Sequence, residues 1–485
     1  MYCSRQWLSE CIVAAVTRKD KVDAIINQGV NILKKLCQFQ DDSLRVRALV
    51  AFCKMGNSGD SDATTRPFAD GVTKELTEAC RRLLINPKKE NNMREWAIKG
   101  LSYLTFNPGV KEKLIEDKKA IHMMIEIAKT GDQSVLFGVL TTLVNLCNAY
   151  DEHELEMIEL TKFVKYHFPE ESELDDDDLV ERLWALVAAN VISVLVNLAK
   201  TDSQNCKELI ARVFNAICIL EGVREMVVDE GGTEALLSLA LDGTVEGKKQ
   251  ASLALVRLAL TKRPEVIFPG QLLTEFVQPI VNFLNPECSV NENCQTLTAL
   301  CNLAKVNHSM REHIFEEGVF QKIEGFRYKG DYLLRLASDE NQDIKFAAAA
   351  APVKLTVANK EACKKVFDSN FWLEFLRSLL TNPSNNIQEM GVIFVLSMIR
   401  NVEDVTAKLI ETGIMELLRA LRNKNSTVQN KNIKELTYIA LEAVAERSSK
   451  EALSVKIWER DTACRLGQLD LLNRLEIKLW NSEGY

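Results

Sequence analysis

The stretch Val228-Asp229-Glu230-Gly231-Gly232-Thr233-Glu234-Ala235-Leu236-Leu237-Ser238-Leu239-Ala240-Leu241 sets the fold class, because it recurs along the whole chain. Close relatives are Ile26-Asn27-Gln28-Gly29, Phe315-Glu316-Glu317-Gly318 and Ile410-Glu411-Thr412-Gly413. Looser copies are Ile115-Glu116-Asp117-Lys118, Val187-Ala188-Ala189-Asn190 and Phe367-Asp368-Ser369-Asn370, while Phe68-Ala69-Asp70-Gly71 and Phe268-Pro269-Gly270 fill the widest gaps. Between successive glycine-like positions the steps run from 39 to 52 residues, except for one of 72 between Lys118 and Asn190. A period of roughly 40–47 residues is that of helical solenoid repeats.

Each copy follows one grammar. A Gly, Asn or Asp that tolerates the left-handed conformation ends a helix. An amphipathic helix follows, as in Thr233 to Leu241 or Met415 to Leu421, and then a polar turn such as Asp242-Gly243-Thr244 or Asn382-Pro383-Ser384-Asn385. A longer helix with apolar residues every three or four positions closes the unit. The fold expected is all-α, an armadillo-repeat right-handed superhelical solenoid, which works through a long surface rather than a central pocket.

The long helices align best. Thr142-Leu143-Val144-Asn145-Leu146 parallels Ala299-Leu300-Cys301-Asn302-Leu303, Ala254-Leu255-Val256-Arg257-Leu258 and Val395-Leu396-Ser397-Met398. The apolar neighbours pack inward, so the polar residue between them is expected to face elsewhere. In an armadillo stack the third helix lines the concave groove, and the slots then form a ladder of Lys54, Tyr103, Asn145, Asn215, Arg257, Asn302, Lys354, Ser397 and Tyr438. Two readings of the ladder stand side by side. Its amides cap local turns on a solvated face, or they hydrogen-bond the backbone of an extended guest segment, for which an amide supplies both donor and acceptor.

The regular pattern breaks in three places. Residues 150–189 form an acidic insertion and connecting helix, including Glu173-Leu174-Asp175-Asp176-Asp177-Asp178, which reads as a solvated loop without the pattern of a calcium-binding hand. After Gly318, the segments Val319 to Phe326 and Asp331 to Ala337 both read as second helices with no third helix between them, as though an intervening stretch were absent. From Ser448 the repeat ceases, and Ile457, Trp458, Leu466, Leu469, Leu472, Leu475 and Leu479 mark a terminal helix that caps the array. The organisation expected is therefore armadillo repeats over 1–149, the insertion over 150–189, further repeats over 190–447 and a capping helix over 448–485.

Composition narrows function. Of 485 residues, 47% are apolar, enough for a large core. A net charge of −8 speaks against a general nucleic-acid binder, which needs a cationic surface. The 13 cysteines include no C-x-x-C pair and fall on apolar helix faces, as at Cys53, Cys147, Cys218 and Cys301. They read as buried thiols in a reducing compartment. No apolar run approaches the roughly 18–20 residues that span a bilayer, and the N-terminus lacks a signal-peptide core. A soluble, cytoplasmic protein without membrane or nucleic-acid partners is expected. There is no phosphate loop, dinucleotide turn or nucleophile elbow. His308 and His313, five apart, do not share a helix face as a metal pair would. No enzyme, cofactor or metal is expected.

Longer matches point to a family. Leu44-Arg45-Val46-Arg47-Ala48-Leu49-Val50, Arg66-Pro67-Phe68-Ala69-Asp70-Gly71, Gly100-Leu101-Ser102-Tyr103-Leu104-Thr105, Thr141 to Asn148, Glu208 to Phe214, and Leu297 to Ala304 followed by Arg311 resemble the UCS-domain myosin chaperones. The likeness covers nearly the whole chain. It implies an ATP-independent platform that binds partly folded myosin motor domains in a concave groove and aids their folding and assembly. By position, the groove carries to Asn302, Lys305, Asn307, His308 and Arg311, and to Lys354 and Ser397, with Asn145, Asn215, Arg257 and Tyr438 as further rungs. Animal members of the family also hold a heat-shock chaperone through an N-terminal tetratricopeptide domain. This chain opens in the armadillo region, so that docking domain is expected to be absent here. Self-association stays open. The competing reading is another armadillo adaptor that binds an extended peptide in transport or signalling. Import receptors of that kind resemble one another in Trp-x-x-x-Asn pairs, whereas here Trp96 is followed by Gly100 and Trp184 by Ala188.

Overall fold

The computed structural model describes, with short interruptions, residues 42–57, 70–86, 91–148, 178–260, 264–322, 350–423 and 431–452, and four positions within 32–36. The insertion core, the junction after Phe326 and the chain beyond Ala452 lie outside the described residues. Among the described residues every regular element is a helix. The first stretch holds α1 (Asp42–Asn57), α2 (Asp70–Ile85) and α3 (Asn91–Leu104). Triplets follow: α4 (Pro108–Glu116), α5 (Lys118–Thr130) and α6 (Gln133–Cys147); α7 (Asp178–Ala188), α8 (Val191–Leu198) and α9 (Gln204–Ile217); and α10 (Glu221–Asp229), α11 (Gly232–Leu241) and α12 (Val245–Ala259). Next come α13 (Pro264–Ile267), α14 (Leu272–Glu275), α15 (Val277–Phe283) and α16 (Val290–Ala304), then α17 (His308–Glu316). The last triplets are α18 (Lys360–Asp368), α19 (Trp372–Leu380) and α20 (Asn385–Asn401), and α21 (Val405–Glu411), α22 (Ile414–Asn423) and α23 (Lys431–Ala452). Each complete repeat is thus a short first helix, an amphipathic second and a long third, as in armadillo proteins.

The recurring phrase marks the corner between first and second helices. Gly231, Gly270, Gly318 and Gly413 have φ of 81°, 65°, 83° and 73°, and Asn190 has 65°. Residues with a Cβ rarely adopt this left-handed region, which explains the glycines and the one asparagine. At Lys118 the corner is made differently. Asp117 stays at φ −84° and its carboxylate accepts the backbone N–H groups of Lys119 and Ala120, both at 3.1 Å. That cap replaces a left-handed residue by a side-chain acceptor. After the glycine the helix starts in tight quarters. A Cβ on Gly232 would sit 2.4 Å from Val227 Cγ1 and 2.7 Å from the Val227 carbonyl oxygen.

Third helices start on side-chain caps too. Ser289 accepts from the Glu292 backbone at 3.2 Å while Glu292 accepts from the Ser289 backbone at 2.7 Å, a capping box at the head of α16. The cores are aliphatic, with aromatic keystones: Phe268 and Phe276 lie 3.9 Å apart, and Phe375 meets Phe394 edge-on at 6.0 Å. Eight of the nine described cysteines are buried, as their apolar-face positions predicted. Packing divides the described residues into two compact units, one up to Ala254 and one from Leu255. Among the described residues no single helix is long and apolar enough to cross a membrane.

Candidate functional site

The polar slots of the third helices carry the functional expectation, and their geometry repeats. In α6, Asn145 Nδ2 donates to the Ser102 carbonyl at 3.1 Å and to Thr105 Oγ1 at 2.9 Å. In α16, Asn302 Nδ2 donates to the Leu260 carbonyl at 3.2 Å and the Ala259 carbonyl at 3.4 Å. In α20, Ser397 Oγ donates to the Thr356 carbonyl at 3.2 Å. The acceptors sit 41 to 43 residues earlier, at the C-terminal end of the preceding third helix. The last carbonyls of a helix have no partner within it, and these side chains supply one. The slots therefore stitch repeat to repeat.

This geometry corrects the expectation that every slot faces away from the stack. Asn145 is 3% exposed, Arg257 2% and Ser397 7%. A rung pointing at the previous helix end is screened by its own apolar neighbours. Asn302 and Lys354 are half-buried, and Tyr103, also half-buried, has its phenol pushed up by burial. Tyr438 is 44% exposed; its hydroxyl donates to Glu442 and the Arg422 guanidinium lies 5.3 Å from its ring centre.

A second donor reaches the same helix ends from the following first helix. Arg311 Nη1 donates to the Ala304 carbonyl at 3.1 Å, and Arg224 Nε donates to Cys218 at 3.1 Å. The corresponding Cys363 thiol meets Thr356 at 3.3 Å. Arg182 donates to Leu146 at 3.1 Å and Asn148 at 3.2 Å, where the ammonium of Lys111 joins it at 3.2 Å. Cations at a helix C-terminus also oppose the negative end of its dipole. Burial and the neighbouring Arg182 hold Lys111 below the ordinary lysine range, while burial pushes the Cys147 thiol up to about 12. Arg224, Arg182 and Lys111 were missed in the sequence, and Arg311 was read there as a groove residue; a signal was present for two of them, since Arg224 and Arg311 fall six and seven residues past the carbonyl each caps.

Around Asn302 the remaining candidates differ in exposure. Asn307 caps α17, its side chain accepting the Met310 N–H at 2.8 Å, and Arg311 is committed to Ala304. Lys305 and His308 are exposed at the junction of α16 and α17, with His308 Nδ1 3.4 Å from Glu312. Lys305 and Lys354 act together on one group, both lowering the Cys301 thiol against a larger upward push from burial. The structure thus brings Asn302, Lys305 and Lys354 around the C-terminal half of α16. His313 does not join His308; its Nε2 lies 3.1 Å from the Thr274 carbonyl.

In the first unit the third-helix face is organised by a polar network. Thr244 Oγ1 donates to Glu208 at 2.6 Å, Arg212 pairs with Glu208 at 3.1 Å and lies 3.7 Å from Glu246, and Gln250 donates to Glu246 at 2.8 Å. Asn215 completes it by donating to Gln250 Oε1 at 2.7 Å. Asn215 thus points forward to the next third helix, unlike Asn145. Elsewhere in the same unit, the Trp96 ring carries two cations over it, Lys99 at 4.6 Å and Arg47 at 5.2 Å from its centre. Among the described residues no group of three His, Cys, Asp or Glu side chains is placed to hold a metal ion.

These features define a helical-repeat protein of the armadillo class, with third helices tied to the end of the preceding one at Asn145, Asn302 and Ser397. Residues 4–80 match the family model for the UNC45-central region, described as myosin-binding striated muscle assembly central. Protein unc-45 homolog B of Xenopus tropicalis is 34% identical over 465 residues, covering 87% of this chain and 50% of that protein. The solved structure of UNC-45 from Drosophila melanogaster is 42% identical with a TM-score of 0.65, over 92% of this chain and 61% of that one. The crystal structure of the myosin chaperone UNC-45 from C. elegans in complex with a Hsp70 peptide is 25% identical, with a TM-score of 0.56 over 92% of this chain and 50% of that one. The chain belongs to the UNC-45 family. It spans about half the length of the curated relatives it matches.

Proposed function

We propose that this chain is a cytoplasmic chaperone for myosin motor domains, binding partly folded heads without hydrolysing nucleotide. The observation that carries this reading is family likeness over nearly the whole chain, together with the myosin-binding description of the model matched by residues 4–80. The geometry is in keeping with it. A repeat stack whose helix ends are pinned by Asn302, Arg311 and Ser397 offers a preorganised face, so that binding costs the client conformational freedom and the chaperone little. We place client contact on the exposed Lys305 and His308 and on the half-buried Lys354, with Asn302, Asn307, Arg311 and Ser397 holding the face in shape. Asn145, Asn215, Arg257 and Tyr438 extend the same series of third helices. A heat-shock chaperone is the second partner we assign to the full-length family, because the C. elegans relative was crystallised with a Hsp70 peptide.

A binding experiment tests the reading. The purified chain, immobilised, is offered native and heat-stressed myosin heads in the absence of ATP. Retention of stressed heads above native ones, reduced several-fold by Lys305→Glu with His308→Glu, is the expected result. Equal retention of both heads, at the level of an inert helical-repeat protein, contradicts it.

A further inference from the structure

Cys53 of α1 and Cys80 of α2 meet inside the first unit, their Sγ atoms 3.9 Å apart although the residues lie 27 apart in the chain. Both are free thiols, and both are 0% exposed. A third helix makes room for them. A Cβ on Gly100 of α3 would come 2.7 Å from Cys80 Sγ and 3.4 Å from Cys53 Sγ, so the two sulfurs lie against bare backbone. A side chain at that position would drive Cys80 Sγ from its place. A buried thiol usually serves as a small apolar group. Two thiols in contact from separate helices are also one covalent step from a bridge.

We propose that Cys53 and Cys80 are a reversible redox pair, closed by a peroxide to a disulfide that ties α1 to α2. One thiol, as its thiolate, attacks the O–O bond of hydrogen peroxide, becomes a sulfenic acid and releases one water. The second sulfur then attacks the first, and the hydroxyl leaves as a second water. Two thiols thus give up two electrons and two protons, and one peroxide is reduced to two waters. The closing step needs the sulfurs to move from 3.9 Å to about 2.05 Å apart. That step is intramolecular, so it outruns further oxidation of the sulfenic acid. Burial sets the pace of the first step, because the thiols are inert until the α1–α2 contact opens locally. Once formed, the bridge restrains the opened state and holds α1 on α2.

Two measurements on the full chain test this. The chain is treated with hydrogen peroxide, its remaining thiols are blocked with N-ethylmaleimide in urea, and it is digested without reduction. Mass spectrometry of the monomer is expected to find the Cys53 and Cys80 peptides joined, and dithiothreitol to separate them. Both thiols still blocked by the maleimide, sulfinic or sulfonic acid at either without the joined pair, or pairing only with other cysteines or a second copy overturns the proposal. In hydrogen exchange, oxidation is expected to slow α1 by about tenfold or more while α22 is unchanged, and dithiothreitol to restore the original rate. A joined pair that leaves α1 exchange as it was also overturns the proposal, since the bridge then ties nothing.

Discussion

Asn302 Nδ2 donates to the backbone carbonyl of Leu260, 42 residues earlier, at 3.2 Å. One side chain thereby closes the end of the preceding third helix and fixes its own helix against it. Asn145 does the same to Ser102, and Ser397 to Thr356. Removing such a donor leaves a carbonyl at a packed helix junction without its partner, at a cost of about 1–3 kcal/mol. Asn302→Ala is expected to lower the unfolding midpoint by that amount. Asn145→Ala, more deeply buried, is expected to cost at least as much. Urea denaturation followed by far-UV circular dichroism checks both, and unchanged midpoints would show that the stitches carry no stability.

The first-helix cations make a parallel prediction. Arg311→Met keeps the aliphatic stem and removes the bond to Ala304, so it should destabilise by about 1.5–3 kcal/mol, as expected for a charged donor. His308→Ala, at an exposed position, should stay within about 0.5 kcal/mol. The contrast between two residues three apart on α17 is the readout, again by urea midpoint.

Glycine positions separate space from conformation. Gly232→Ala places a methyl 2.4 Å from Val227 Cγ1 and against the Val227 carbonyl, so the α10–α11 corner must open, at about 1–3 kcal/mol. Gly109→Ala, in α4, meets nothing closer than Asn107 Oδ1 at 3.5 Å and should be neutral or stabilising by a few tenths, about 0.4–1 kcal/mol at most. Differential scanning calorimetry of the two variants distinguishes them.

Alkaline pH should weaken the fold through Cys147. Burial pushes its thiol from 9.0 to about 12, with Arg182 and Lys111 pulling the other way. A raised folded pKa means the unfolded chain loses this proton first. The contribution is therefore whole below about pH 9 and falls as pH rises towards about 12. Cys147→Ala should flatten that part of the stability–pH curve, measured by urea midpoints across the range. An equally steep decline in the variant would assign it to other groups.

Much of this architecture was legible in the chain itself. The Val-Asp-Glu-Gly phrase located corners that the backbone realises as left-handed residues at Asn190, Gly231, Gly270, Gly318 and Gly413. The reason is local: only small or amide side chains tolerate that conformation. The polar slots were legible as a series but not in direction. Whether Asn145 points to solvent or to Ser102 depends on the offset between adjacent third helices, which no single helix encodes. Arg257 and Asn215 show the consequence, occupying the same slot with different surroundings, one fully enclosed and one bonded forward to Gln250. The Asp117 cap escaped the glycine rule because a carboxylate does the work of a backbone conformation there.

Light scattering of a myosin head held at a temperature where it aggregates, with and without a near-stoichiometric amount of this chain and with no nucleotide, tests the central claim most directly. The proposed function predicts that scattering is suppressed, and that Lys305→Glu with His308→Glu restores it while leaving the chain's own melting unchanged. Myosin that aggregates equally with this chain and with an inert protein would contradict it.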